Sequence, residues 1–181
     1  MVIATEGESK TPMHNEAPDN PNMYTRLISL LDGRGARYRV VDHAPEGRTD
    51  LVSAMRGNDA KDAAKCMVLI VKIGKRTTKY VSAVIPGDRR LDLTAVKNIF
   101  GATYVSFASP EIAQRLAGSV PGTILPFSFT PELELIADPS LRSSEHLYFN
   151  AARLDRSIAL NSEDYFAIAA PRVERVVGCS P

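Results

Sequence analysis

The residues whose types and spacing could do chemistry fall in two places. Lys65 stands immediately before the apolar run Cys66-Met67-Val68-Leu69-Ile70-Val71. A lysine that opens a buried strand starts its stem in the core. In the ordinary case the stem covers apolar surface and the ammonium reaches water. In the functional case the cation is partly desolvated beside a pocket, where it can hold a phosphate or a developing oxyanion. The second place is the loop Ala117-Gly118-Ser119-Val120-Pro121-Gly122-Thr123-Ile124-Leu125-Pro126-Phe127. Gly118 also suits a helix stop. Gly122 lets the backbone approach a ligand closely, and Pro126 fixes the angle at which the chain leaves. Successive N–H groups here can form a nest aimed at an anion or a carbonyl oxygen. The bare G-x-x-x-P spacing is common in loops.

Several single residues carry a functional and a structural reading side by side. His43 ends a short strand, where it either lines a pocket or is a satisfied structural histidine. Asp138 either faces a pocket or begins an Asp-Pro turn. Asn150 sits on an otherwise apolar strand. A buried Asn needs partners, and a ligand amine is one candidate. Arg89 and Arg90 either touch phosphates or decorate a solvated turn, and His146 reads as solvent-facing.

What is missing narrows the chemistry. The chain has no G-x-x-x-x-G-K-[ST], and Gly33-Arg34-Gly35 lacks the third glycine of a dinucleotide loop and follows a helix. His14, His43 and His146 are scattered, and there is no HExxH or Cys/His cluster, so no metal site is expected. No G-x-S-x-G elbow occurs. With no Trp and no interleaved aromatic–basic strand, an RNP-type RNA platform is unsupported. No cofactor is implied.

The elements that must position these residues follow from pattern. A chain of 181 residues reads as one domain, long enough to bury a core without staples. Apolar residues are 44%, charged residues 24% and the net charge +1, which argues against coating DNA or other nucleic acid by bulk electrostatics. The longest apolar run is too short for a bilayer, which needs about 20 residues, so no membrane partner is expected. Residues 1–22 are polar and aperiodic and read as a disordered extension, leaving the domain at 23–181. Cys66 reads as a buried thiol and Cys179 as a frayed one. That usage suits a reducing, cytoplasmic compartment.

From Tyr24 the pattern predicts a helix closed by Gly33 and Gly35, then a strand over Tyr38–Val41. A second helix is predicted over Thr49–Arg56, with Leu51, Val52 and Met55 on one face. Lys65–Ile73 and Lys79–Ile85 form a hairpin across Gly74-Lys75-Arg76-Thr77. Asp92 can cap a helix over Leu93–Phe100, and Ser109-Pro110 can open another that Gly118 stops. Thr123–Phe129, Leu133–Ala137, Leu147–Ala151 and Ser157–Leu160 are short strand candidates. A last helix runs from about Glu163 to Ala170, and Val173–Val177 is a final strand candidate. Regular strand–helix alternation is absent, so the expected class is α+β with a curved, largely antiparallel sheet.

Taken together, the blocks resemble one known family. Val40-Val41-Asp42-His43, Ala64-Lys65-Cys66-Met67-Val68, Ile85 to Leu93, Gly122 to Pro126 and Ile136-Ala137-Asp138-Pro139 are similar to the YbaK family, whose members include the editing domain of prolyl-tRNA synthetase. Phe149 to Asp155 resembles its stand-alone YeaK-type subgroup. The resemblance implies a mixed sheet curled into a partial barrel with helices around it. It also implies hydrolysis of the ester between a wrong amino acid and the 3′ end of tRNA, with a synthetase as a further partner. It equates Lys65 with the family's functional lysine and Gly122 and Pro126 with its loop. Some members carry a His-Pro pair where this chain has Asn150-Ala151.

An aminoacyl ester is activated and needs no covalent nucleophile. On this reading the N–H groups of Gly122 and Thr123 would bind the carbonyl oxygen as charge develops. A loop containing Gly118, Ser119 and Gly122 would suit a small amino acid. The alternatives are a non-catalytic module of the same fold, binding tRNA ends, a nucleotide or a synthetase, and a hydrolase of free amino acid esters.

Overall fold

A computed structural model describes residues 21–178 of the chain. The expected extension up to residue 20, His14 and Cys179 lie outside the described residues. Five helices and eight strands follow in order: α1 (Pro21–Gly33), β1 (Tyr38–Asp42), α2 (Thr49–Arg56), β2 (Ala64–Ile73), β3 (Thr77–Pro86), α3 (Leu93–Phe100), β4 (Tyr104–Phe107), α4 (Pro110–Ala117), β5 (Leu133–Ala137), β6 (His146–Asn150), β7 (Arg156–Asn161), α5 (Ser162–Ala169) and β8 (Arg172–Val173).

Local chemistry sets the boundaries. The Asp92 carboxylate accepts from the N–H groups of Thr94 and Ala95 and so starts α3, while Gly101 ends it in the left-handed region. Ser109 accepts from the N–H of Ile112 with Pro110 at the first helical position, which starts α4. Strands β2 and β3 pair antiparallel over their whole length, with Lys65 opposite Ile85. That register brings the chain after β3 alongside Lys65.

The class is α+β, as expected, but the strands lie in two sheets that do not close into a barrel. An antiparallel sheet of three runs β1-β7-β6, and a mixed sheet of five runs β4-β2-β3-β5-β8, with β3–β5 and β5–β8 parallel. A single bridge between Ala63 and Tyr148 links the two sheets. The central strand β3 is buried on both faces. Val84 joins the core shared with α1, α5 and the small sheet, where Leu27, Leu31, Leu147, Phe149, Ile158 and Tyr165 meet. Val81, Ala83 and Ile85 join the core under α3 with Val96. A third cluster seats α4 through Ala113 and Leu116 against Val68 and Leu133.

Four elements depart from the sequence pattern. Residues 123–129 form no strand. Pro126 has no N–H to give a ladder, and β5 occupies the edge of β3 instead. The final strand shrinks to Arg172–Val173, because the N–H groups of Val176 and Val177 bond the Asp138 carboxylate. Strand β4 pairs with β2 in a stretch too short to show periodicity. In α2, Leu51 and Met55 are exposed, whereas Val52, Ser53 and the half-buried Arg56 face inward.

Candidate active site

The open end between the two sheets holds a cavity of about 240 Å³. Its walls come from the start of β2 (Ala64 to Met67), the inner face of α2 (Thr49, Val52, Arg56), the end of β6 (Tyr148 to Asn150) and two glycines, Gly47 and Gly122. Each wall has a reason to be there. The long β2–β3 hairpin projects Lys65 to the rim, and the Ala63–Tyr148 bridge sets β6 beside it.

Lys65 is half-buried, and its ammonium donates to the Arg89 carbonyl at 2.9 Å. Burial, then the nearby positive charge of Arg90, pulls its pKa below the usual lysine range, with Asp88 opposing. The loop that supplies Arg89 is itself pinned. Gly87 donates to the Ala63 carbonyl at 2.9 Å, and a Cβ on Gly87 would lie 2.6 Å from the carbonyl oxygen of Ala60. Only glycine fits there without moving backbone.

Gly122 has φ +90°, and a Cβ there would lie 2.9 Å from both Cα and O of Gly47. The two glycines thus stand backbone to backbone. Asn150 clasps them from below, its Nδ2 donating to Glu46 O at 2.8 Å and Gly122 O at 2.9 Å. Two carbonyl partners fix the amide orientation, since neither can donate. Asn150 therefore binds loops, and the expected ligand amine is not needed to satisfy it. The N–H of Gly122 has no hydrogen-bond partner among the described residues.

Thr123 departs from its expected role. Its N–H bonds Val120 O at 3.0 Å and its hydroxyl donates to the same oxygen at 2.8 Å, so the N–H is not free to bind an oxyanion. Gly118 is the left-handed cap of α4, and Ser119 is buried and donates to Thr123 O. Pro126 is buried between core residues Leu125 and Phe127. These three shape the loop from behind and are not among the residues lining the cavity.

Asp138 lies elsewhere. It is 1% exposed and accepts from the N–H and hydroxyl of Ser140 and the N–H groups of Val176 and Val177. Burial pushes its pKa up, but those donors outweigh it and hold the carboxyl below the usual range. It clasps the C-terminal segment to the short 3₁₀ helix Pro139–Ser143 and is not among the residues lining this cavity.

His43 also sits one layer back. One ring nitrogen, Nδ1, meets Ala44 O at 2.8 Å and must carry a proton there; Nε2 meets Ser157 Oγ at 2.7 Å. Ser157 donates to Asn150 Oδ1 at 2.9 Å and accepts from Arg56 Nη1 at 3.1 Å. Ser157 has no exposed surface. The His–Ser pair is therefore a brace under Asn150 and not a base with its nucleophile.

Sequence reasoning missed Arg56. Its Nε donates to Asn58 Oδ1 at 3.0 Å and Nη2 to Ser53 Oγ at 3.3 Å, and its guanidinium lies 5.8 Å from the Tyr148 ring centre. Burial pulls its pKa down to about 10. The signal was the four-residue spacing from Val52, which puts both on one helix face. Cys66 lines the cavity too, and burial raises its thiol pKa well above the ordinary value. The cavity thus has two cations on its walls and no carboxylate or histidine. No group of three metal-ligating side chains occurs among the described residues, and no described helix is long and apolar enough to cross a membrane.

The aminoacyl-tRNA editing domain family matches residues 43–168. The chain belongs to that family. A relative from Escherichia coli (strain K12), the multifunctional Ser/Thr-tRNA deacylase ProXp-y, is 40% identical over 151 residues, covering 83% of this chain and 90% of that protein. A proline–tRNA ligase of Bacillus licheniformis is 27% identical over 159 residues, 86% of this chain and 27% of the ligase. Among solved structures, a candidate trans-editing enzyme for prolyl tRNA synthetase superposes with a TM-score of 0.71 at 19% identity, over 91% of this chain and all of that one. The last likeness is one of fold. Within the editing-domain family, the matched span contains every wall of the cavity, from Gly47 through Asn150.

Proposed function

We propose that this chain is a trans-acting deacylase that removes serine or threonine from tRNA. The observation that carries the reading is the small cavity bounded by the half-buried Lys65 and by the free N–H of Gly122, whose loop Asn150 holds against Gly47. Its ester-hydrolysing class follows the family and the 40% identical relative. Its choice of serine or threonine is supported by that relative's name and by a cavity of limited volume.

In this reading the ester carbonyl lies between the Lys65 ammonium and the Gly122 N–H. As water adds, negative charge grows on that oxygen, and both donors strengthen. The cavity walls offer no carboxylate or imidazole as base, so the attacking water's proton is relayed, through the substrate's own neighbouring ribose hydroxyl or a second water, to the departing 3′-oxygen. The 3′-hydroxyl leaves with the tRNA. Such an enzyme is useful because a synthetase pocket separates side chains one methylene apart by only about 1–3 kcal/mol.

The proposed partners are the 3′ end of aminoacyl-tRNA and a synthetase that delivers it. The second partner is supported by the likeness to part of a proline–tRNA ligase, and co-purification with that ligase tests it. The main test is a panel of tRNAs charged with Ala, Ser, Thr, Cys and Pro, exposed to wild type and Lys65→Ala. Serine and threonine should be lost with wild type, and Lys65→Ala should slow this about 100-fold, the usual scale for one oxyanion donor. Tight binding of charged tRNA without turnover would make the chain a binding module instead.

A further inference from the structure

Arg56 is an unusual cation in this molecule. It is the last residue of α2, half-buried, and on the wall of the cavity. All three of its hydrogen bonds go to neutral oxygens, those of Asn58, Ser53 and Ser157. No carboxylate lies within ion-pair distance of it among the described residues. Exposed arginines elsewhere do find carboxylates, as Arg37 finds Asp164 and Arg156 finds Asp42. The negative end of the α2 dipole favours a cation at Arg56 but supplies no full charge. Its desolvation is therefore not compensated by the protein alone.

Geometry adds a second point. The three bonds fix the guanidinium and use three of its five N–H groups. Two donors remain on a rigid planar fork whose neighbour across the site, Lys65, is also positive. A site with two cations and no carboxylate attracts a standing anion.

We propose that Arg56 holds the phosphate of the nucleotide that carries the aminoacyl ester, as a substrate-binding residue separate from the ester-polarising Lys65. The assignment rests on the deacylase reading of the same cavity. It splits the cavity into an anion end at Arg56 and an ester end at Lys65 and Gly122. Tyr148 flanks the guanidinium with its ring centre 5.8 Å away and helps to hold the cation in place.

Two minimal substrates test this: adenosine esterified with serine on its 3′-hydroxyl, and the same ester of AMP. Wild type should prefer the phosphorylated ester by about 10- to 100-fold in kcat/KM, mostly through KM, the scale of a charge-assisted hydrogen-bonded contact. Arg56→Gln should bring that ratio close to one, Arg56→Lys should retain part of it, and Lys65→Ala should slow both esters alike. The ratio is taken within each variant, so any general loss of stability cancels. An unchanged ratio in Arg56→Gln, or a ratio abolished by Lys65→Ala instead, overturns the proposal. If wild type cleaves neither ester, the deacylase reading fails separately. Calorimetry with AMP against adenosine then decides: AMP-selective binding lost in Arg56→Gln supports the anion end, and no selectivity in wild type refutes it.

Discussion

Asp138 and Arg56 are both charged, both withdrawn from water and both held by neutral donors or acceptors, yet their surroundings differ in one respect. The Asp138 carboxylate receives four hydrogen bonds, two on each oxygen, and the residue is 1% exposed. The Arg56 guanidinium gives three and borders a cavity. A closed cluster stabilises the fold and has nothing left to offer a ligand. An open one is held in place with bonding capacity to spare. The same contrast separates Thr123, whose N–H is used, from Gly122, whose N–H is not.

Substitutions at the two clusters should therefore separate stability from activity. The largest effect on stability is expected at the closed cluster. Asp138→Ala strands the N–H groups of Val176 and Val177 and should cost about 3 kcal/mol, lowering Tm by roughly 6–12 °C while folded protein keeps its rate. Calorimetry and a deacylation assay at low temperature check this together. The largest effect on activity after Lys65 is expected at Gly122→Ala. Its added carbon must displace the Gly47 backbone and occupy a positive φ, so deacylation should fall about 100-fold, for a stability cost of about 1–3 kcal/mol.

Asn150→Ala should act in between. It frees the Glu46 and Gly122 carbonyls from their shared clasp and should lower kcat about 10-fold with KM little changed, since the ester end loses alignment and not charge. Steady-state kinetics on seryl-tRNA read this directly; a KM effect alone would place Asn150 on the substrate instead.

Acid sharpens the same comparison. The Asp138 carboxyl titrates lower in the folded chain than in the unfolded one. Its contribution is then fully present above the unfolded carboxylate value of about 3.9, and it is lost as pH falls through the lower folded value. Urea melts of wild type and Asp138→Asn from pH 7 to pH 3 should show a stability gap that narrows only at the acid end. The smallest effect belongs to the outer face of α2. Met55→Ala and Leu51→Ala should each change stability by less than about 0.5 kcal/mol and leave deacylation unchanged.

Much of this arrangement was legible in the sequence. Asp92, Ser109 and Pro110 announce the helices they cap, and the turn at Gly74 announces the long hairpin that carries Lys65. The lysine strand and the Gly122 loop stand out by residue type, as a charged residue at the mouth of an apolar run and a glycine between prolines, but their functional reading comes from the family resemblance. What stayed hidden is set by tertiary partners. Asn150 and His43 were visible as polar residues on strands, but no spacing shows that Ser157 joins them. Asp138 is drawn away from the cavity by Val176 and Val177, nearly forty residues downstream. Arg56 is hidden from the pattern, which groups Leu51, Val52 and Met55 on one face; of these only Val52 is buried, together with Ser53, and the inward face carries Arg56.

The most direct measurement compares Lys65→Ala with Asp138→Asn, following seryl-tRNA deacylation and thermal unfolding on the same preparations. The account predicts that Lys65→Ala unfolds like wild type and has lost about 100-fold in kcat/KM, while Asp138→Asn melts earlier and deacylates at the wild-type rate. Full activity in Lys65→Ala, or its loss in folded Asp138→Asn, would contradict it.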